Sequence, residues 1–109
     1  MTNITFYRKN KDIVKYIVDG HAEYSEKGED IVCAAISALS MHTLNGLSDV
    51  VGISVGFEVR EAYLECILPD NLSTEVAKSA KVLLDALYLS LDNLQKQYGK
   101  YITITELEV

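Results

Sequence analysis

His21 and Cys33 are the residues whose types and spacing suggest covalent chemistry. They lie in the stretch GHAEYSEKGEDIVCAAISAL, residues 20–39, where a polar loop runs into a segment of small and apolar side chains. Asp is a favoured helix N-cap. With Asp30 as the cap, Cys33 is the third helical residue. Unpaired backbone N–H groups and the positive end of the helix dipole favour an anion at such a place. That suits a thiolate, the form in which sulfur attacks a carbonyl. His21 stands across the loop, at the end of a strand-like segment. A strand packed beside the helix brings its imidazole to the sulfur and makes a Cys–His dyad. The imidazole would take the thiol proton and, as imidazolium, protonate a leaving amine. Amides at the helix start would hold the oxyanion.

The same residues admit plainer accounts, and on the residues alone both stay open. A cysteine in a small-residue helix serves as a small hydrophobe, and a histidine at a strand end as a solvated side chain. Asp30 either orients the imidazole as a third member or only caps the helix. Ser37, one turn after Cys33 and on its face, lines a cleft or allows close helix packing. Gly28 is a hinge or a left-handed turn residue. Tyr24, Glu23, Glu26 and Glu29 contact a basic substrate or are solvated loop residues. Cys66 alternates with Leu64 and Leu68 and reads as a core thiol, although a Cys33–Cys66 disulfide stays open. His42 is too far along the helix to be the base: nine positions (42 − 33) span about 13–14 Å at ~1.5 Å per residue. Two cysteines and two histidines lack the paired spacing of a structural zinc site, so neither metal nor cofactor is expected.

The elements that must position these residues alternate along the chain. Residues 4–8 alternate like a strand, Lys9-Asn10-Lys11-Asp12 is a polar turn, and Ile13–Val18 reads as the second arm of a hairpin. Asp30 to Val51 reads as a helix with Ile31, Ala35, Ala38, Leu39, Met41 and Leu44 on its apolar side, closed by Gly52. Ile53–Phe57 and Ala62–Leu68 are the next strands, and Pro69-Asp70-Asn71 is a break. From about Ser73 to Tyr98 an amphipathic helix carries Val76, Ala80, Leu83, Leu84, Leu87, Leu91 and Leu94 in a stripe, with Gly99 at C′. Tyr101–Leu107 is the last strand. The order ββαββαβ predicts an α+β fold, a mostly antiparallel sheet packed with two helices.

Composition narrows the function classes. The 109 residues suit a single domain over 1–109, and 49% are hydrophobic, enough for a core without disulfides. A formal net charge of −6, from 16 acidic and 10 basic residues, argues against direct nucleic-acid binding. Neither a secretory leader nor an apolar run long enough to cross a bilayer is evident, so no membrane partner is expected. Two cysteines in such a chain suggest a reducing compartment, the cytoplasm.

Gly20-His21-Ala22, Tyr24, Gly28 and Asp30-Ile31-Val32-Cys33-Ala34-Ala35-Ile36-Ser37-Ala38-Leu39 closely resemble the Prp family, the ribosomal-processing cysteine proteases. Length and element order fit across the chain, and Ile36 in place of an expected valine is conservative. The resemblance implies that His21 and Cys33 are the catalytic dyad. It makes residues 22–29 a mobile loop that shapes the substrate cleft, for which Gly20, Tyr24, Gly28 and Ser37 are the candidate lining residues. It further implies a homodimer that acts on a large-subunit ribosomal protein, number twenty-seven. The short N-terminal extension of that precursor would be cut after a hydrophobic, paired-aromatic segment. The competing reading is a non-catalytic ribosome-assembly binding factor. A thiol redox sensor is a third.

Overall fold

The structure, a computed structural model, describes residues 1–20 and 31–109. Strands β1 (Thr2–Lys9) and β2 (Asp12–Asp19) form a hairpin. Both turn residues, Asn10 and Lys11, have positive φ (52° and 74°), as a tight turn matched to the twist of the strands requires. Helix α1 (Ile31–Asn45) follows and winds on as a π-helical turn over Gly46–Val50. Strands β3 (Gly56–Arg60) and β4 (Tyr63–Ile67), helix α2 (Thr74–Gln97) and strand β5 (Ile102–Glu108) complete the order expected from the sequence.

The five strands make one sheet in the order β3-β4-β2-β1-β5. Three pairings are antiparallel and the fourth, β1 with β5, is parallel. One face carries Ile4, Phe6, Tyr16, Val18, Leu64 and Cys66, all buried against the helices. Burying a side chain of this size contributes about 1.5–3 kcal/mol. α2 supplies Ala80, Leu84, Leu87 and Leu91, the centre of the stripe read from the sequence. Its start is capped by Ser73, whose hydroxyl accepts from the Val76 amide at 3.3 Å.

Three details correct the sequence reading. The buried side of α1 is Val32, Ile36, Ser40, Thr43 and Leu44, whereas Ile31 and Ala38 are exposed. Apolar residues surround this helix, so periodicity alone could not orient it. The third strand begins at Gly56 rather than Ile53. Ile53 is buried in the core on the connection, its amide donating to the Leu47 carbonyl, while all five residues of β3 are exposed. Finally, Ile31–Val50 is by length and composition apolar enough to cross a membrane, contrary to the expectation. Here that segment contributes Val32, Ile36, Leu44 and Leu47 to the core beneath the sheet.

Candidate active site

Cys33 is the third residue of α1 and is half-buried. It opens onto a cleft of about 240 Å³ between the start of α1, the ends of β1 and β2, and the β3–β4 hairpin. Ile36, Ser37, Ser40 and Met41 continue the α1 wall below the sulfur. Cys33, Ser37 and Ser40 occupy one row of the helix, four and then three residues apart (37 − 33, 40 − 37), the spacing that stacks side chains on one face. Cys66 is a buried thiol and is not disulfide-bonded to Cys33. Burial pushes the Cys66 thiol up to about 11, partly offset by a hydrogen bond with Tyr16. His42 is exposed and outside the cleft.

Gly20 forms the cleft's end wall. Its φ of +96° is left-handed, and a Cβ there would lie 2.8 Å from the Met1 carbonyl oxygen. Its amide donates to the Ala62 carbonyl at 2.8 Å, and its own carbonyl accepts from the Thr2 hydroxyl at 3.3 Å. The end of β2 is thus tied to the start of β1 and to the hairpin turn. His21 is the next residue in the chain. His21, Tyr24, Gly28 and Asp30 lie outside the described residues, so the structure brings together Cys33, Gly20 and Ser37 of the expected set.

Residues not singled out from the sequence complete the cleft. Val59, Arg60, Ala62, Tyr63 and Leu64 form the hairpin wall. The Arg60 guanidinium stacks over Tyr63, 4.0 Å from the ring centroid, and Arg60 Nε donates to Glu58 at 2.5 Å. That hydrogen bond pushes the already high Arg60 pKa further up, so a cation stands at the mouth. Deeper in, Ser40 is fully buried, and its carbonyl accepts from the Tyr16 hydroxyl at 2.8 Å. Burial, foremost, drives the Tyr16 phenol well above its ordinary range, so it remains a donor. Among the described residues, the Ser40 Oγ is the one buried side-chain polar atom with no hydrogen-bond partner. Extending the Cys33–Ser37 row by three residues would have found Ser40. Nothing local in the sequence announces that the hairpin lies against that row.

The arrangement places a thiol at a helix start, beside backbone amides, above an apolar cleft sized for a large side chain. Among the described residues no three or more His, Cys, Asp or Glu cluster as a metal site.

The family model for "Cysteine protease Prp" matches residues 1–103. A ribosomal processing cysteine protease Prp from Bacillus subtilis is 26% identical over 98 residues, covering 88% of each chain. Its counterpart from Staphylococcus aureus is 25% identical over 97 residues, covering 84% of this chain and 85% of that one. Among solved structures, the S. aureus essential ribosomal processing protease Prp with a covalently linked product peptide has a TM-score of 0.86 at 21% identity. It covers 97% of this chain, which in turn covers 99% of it. SMU.848 from Streptococcus mutans also has a TM-score of 0.86, at 28% identity, with 100% of this chain and 96% of that one covered.

Proposed function

This chain belongs to the Prp family of cysteine proteases, and we propose that it processes a ribosomal protein with Cys33 as nucleophile and His21 as base. The substrate in this reading is the precursor of large-subunit ribosomal protein number twenty-seven, whose short N-terminal extension is removed after a hydrophobic, paired-aromatic segment. The observation that carries it is Cys33 on the third residue of α1, opening onto an apolar cleft walled by Gly20, the residue before His21. Named relatives are ribosomal processing proteases, and one S. aureus structure holds a substrate peptide.

The steps follow from the residues. His21 takes the Cys33 proton, and the sulfur attacks the scissile carbonyl. Amides of the first α1 turn stabilise the oxyanion. Collapse of the tetrahedral intermediate breaks the C–N bond, and the imidazolium gives its proton to the departing amine, the new N-terminus. His21 then deprotonates a water that cleaves the thioester, restoring the thiol and releasing the extension as a carboxylate. Asp30 caps α1 or orients His21, while Tyr24, Gly28 and Ser37 border the peptide. A thiol and an imidazole suffice for this hydrolysis, so the reading includes no metal or cofactor. It also includes a single protease domain over 1–109, a homodimer, a cytoplasmic location, and no direct contact with nucleic acid or membrane.

The test is a mass-spectrometric cleavage assay on the precursor with wild type, Cys33→Ala and His21→Ala. One cut in the extension, lost in both variants, is expected. No cut by folded, reduced wild type, with binding by all three proteins, would establish an assembly-binding factor instead.

A further inference from the structure

We propose that Thr2 is a positioning residue for the hydrolysis: its hydroxyl holds the carbonyl of the Gly20–His21 peptide unit and so aims His21 at Cys33. The inference rests on the protease reading and deepens it, adding a residue that acts through another.

Thr2 is the first residue of β1 and, though polar, is only 1% exposed. A buried hydroxyl is costly without a partner. Thr2 donates its own to the Gly20 carbonyl at 3.3 Å. The β1–β2 ladder ends with Asn3 and Asp19, so strand pairing does not hold Gly20 to β1. The threonine side chain makes the link that the ladder does not. Thr2 is itself anchored: its amide donates to the Tyr101 carbonyl at 2.9 Å, and it pairs with Ile102 at the start of β5. A β-branched side chain is stiff at χ1, which limits where the hydroxyl can point.

Gly20 is held from its other side as well, its amide donating to the Ala62 carbonyl at 2.8 Å. Ala62 has a φ of +56°, a left-handed value uncommon for a residue with a Cβ. Strained backbone of this kind gathers at functional sites. The Gly20 carbonyl belongs to the peptide unit that continues into His21. A peptide unit is planar, so fixing its oxygen sets the direction in which the chain leaves Gly20. Thr2, Gly20, Ala62 and Cys33 line the same cleft, so that direction is set beside the sulfur. Hydrogen bonds between oxygens are commonly ~2.7–2.8 Å. At 3.3 Å this one is a weak tether, whose loss costs alignment and little stability. Misplacing a reacting group by about 1 Å can cost about a hundredfold in rate.

The experiment uses the full chain with two matched changes. Thr2→Val keeps the branched shape and removes the donor, whereas Thr2→Ser keeps the donor. Valine suits a strand, so both variants should fold, which thermal melting verifies. Cleavage of the precursor is read as kcat and KM separately. Thr2→Val is expected to lower kcat about tenfold with KM nearly unchanged, and Thr2→Ser to stay within about twofold of wild type. A second readout needs no turnover: the pH profile of Cys33 alkylation by iodoacetamide, followed by peptide mapping, which tracks the thiolate. His21→Ala should shift that profile, and Thr2→Val should move it part of the way in the same direction. Arg60, which lines the same cleft, is unchanged throughout.

Wild-type kcat and an unshifted profile in Thr2→Val would overturn the proposal and leave the dyad standing. Equal losses of kcat in Thr2→Val and Thr2→Ser would assign the effect to packing and overturn it too. Identical alkylation profiles for wild type and His21→Ala would overturn the dyad itself, and this role with it. If wild type cuts no precursor, the protease reading fails and the alkylation profiles alone decide the role of Thr2.

Discussion

Among the described residues, two hollows of similar size lie at opposite ends of the β1–β2 hairpin, and they teach different things. The one beneath Cys33 measures about 240 Å³; the other, between the β1–β2 turn, Leu68-Pro69-Asp70 and the flank of α2, about 320 Å³. The larger is the more charged, and its Lys81 is paired: Lys81 Nζ lies 3.0 Å from Asp12 and 3.1 Å from Asp85. Among the described residues it is lined by neither cysteine nor histidine. The smaller holds a thiol at a helix start and a buried hydroxyl without a partner. Volume does not separate them; unsatisfied chemistry does.

The strongest way to break this contrast is to remove the thiol. Cys33→Ala should lower kcat/KM by at least about a thousandfold, with a thermal melt close to wild type. Activity surviving in Cys33→Ala would remove the distinction between the hollows altogether.

Thiol labelling sharpens the contrast within the cleft's own neighbourhood. Iodoacetamide at pH 8 should modify Cys33 in the native protein and spare Cys66, which is 2% exposed and has its pKa raised to about 11. A rise of two units leaves about a hundredfold less thiolate. Peptide mapping after a timed quench would read the two rates, and equal labelling would contradict the burial of Cys66. The same shift has a consequence for stability. The unfolded chain loses the Cys66 proton near the ordinary thiol pKa, before the folded chain does. Stability should therefore fall as pH rises from about 9 to about 11. Replacement of Cys66 by Ala should flatten that part of the profile.

Gly20→Ala should destabilise by about 2–3 kcal/mol, the cost of a left-handed non-glycine residue, with the close Met1 carbonyl as a further penalty. Denaturant unfolding measures it. A neutral result would mean that the end wall of the cleft yields easily. The smallest effect is expected at the second hollow. Lys81→Ala should leave cleavage unchanged and cause only a slight loss of thermal stability that fades with added salt, because the ion pairs are exposed.

The parts of this fold that were legible in the sequence are those where pattern and solvent agree. The Asn10-Lys11 turn and the stripe of α2 each separate polar from apolar residues cleanly. Ile53-Ser54-Val55 misled because its alternation serves a core anchor on a connection, while the true strand after it is exposed throughout. The core face of α1 misled for the opposite reason: Ser40 and Thr43 are buried there while Ile31 is outside. At the site, Cys33 and Ser37 were legible from helix spacing, and Gly20 from its place beside His21. Arg60 and Tyr63 were not, since they reach the cleft only because β4 pairs with β2, a neighbour distant in sequence.

The parallel strand pair sets an order of events. Arg8 and Glu106, joined across β1 and β5, are 98 positions apart in the chain. The β1–β2 hairpin closes over a two-residue turn and can zip within microseconds. Pairing β5 with β1 requires closure of a loop nearly as long as the whole described chain, and its entropic cost delays that step. During synthesis β1 therefore spends its first moments with one flank bare, and the far margin of the sheet is sealed last.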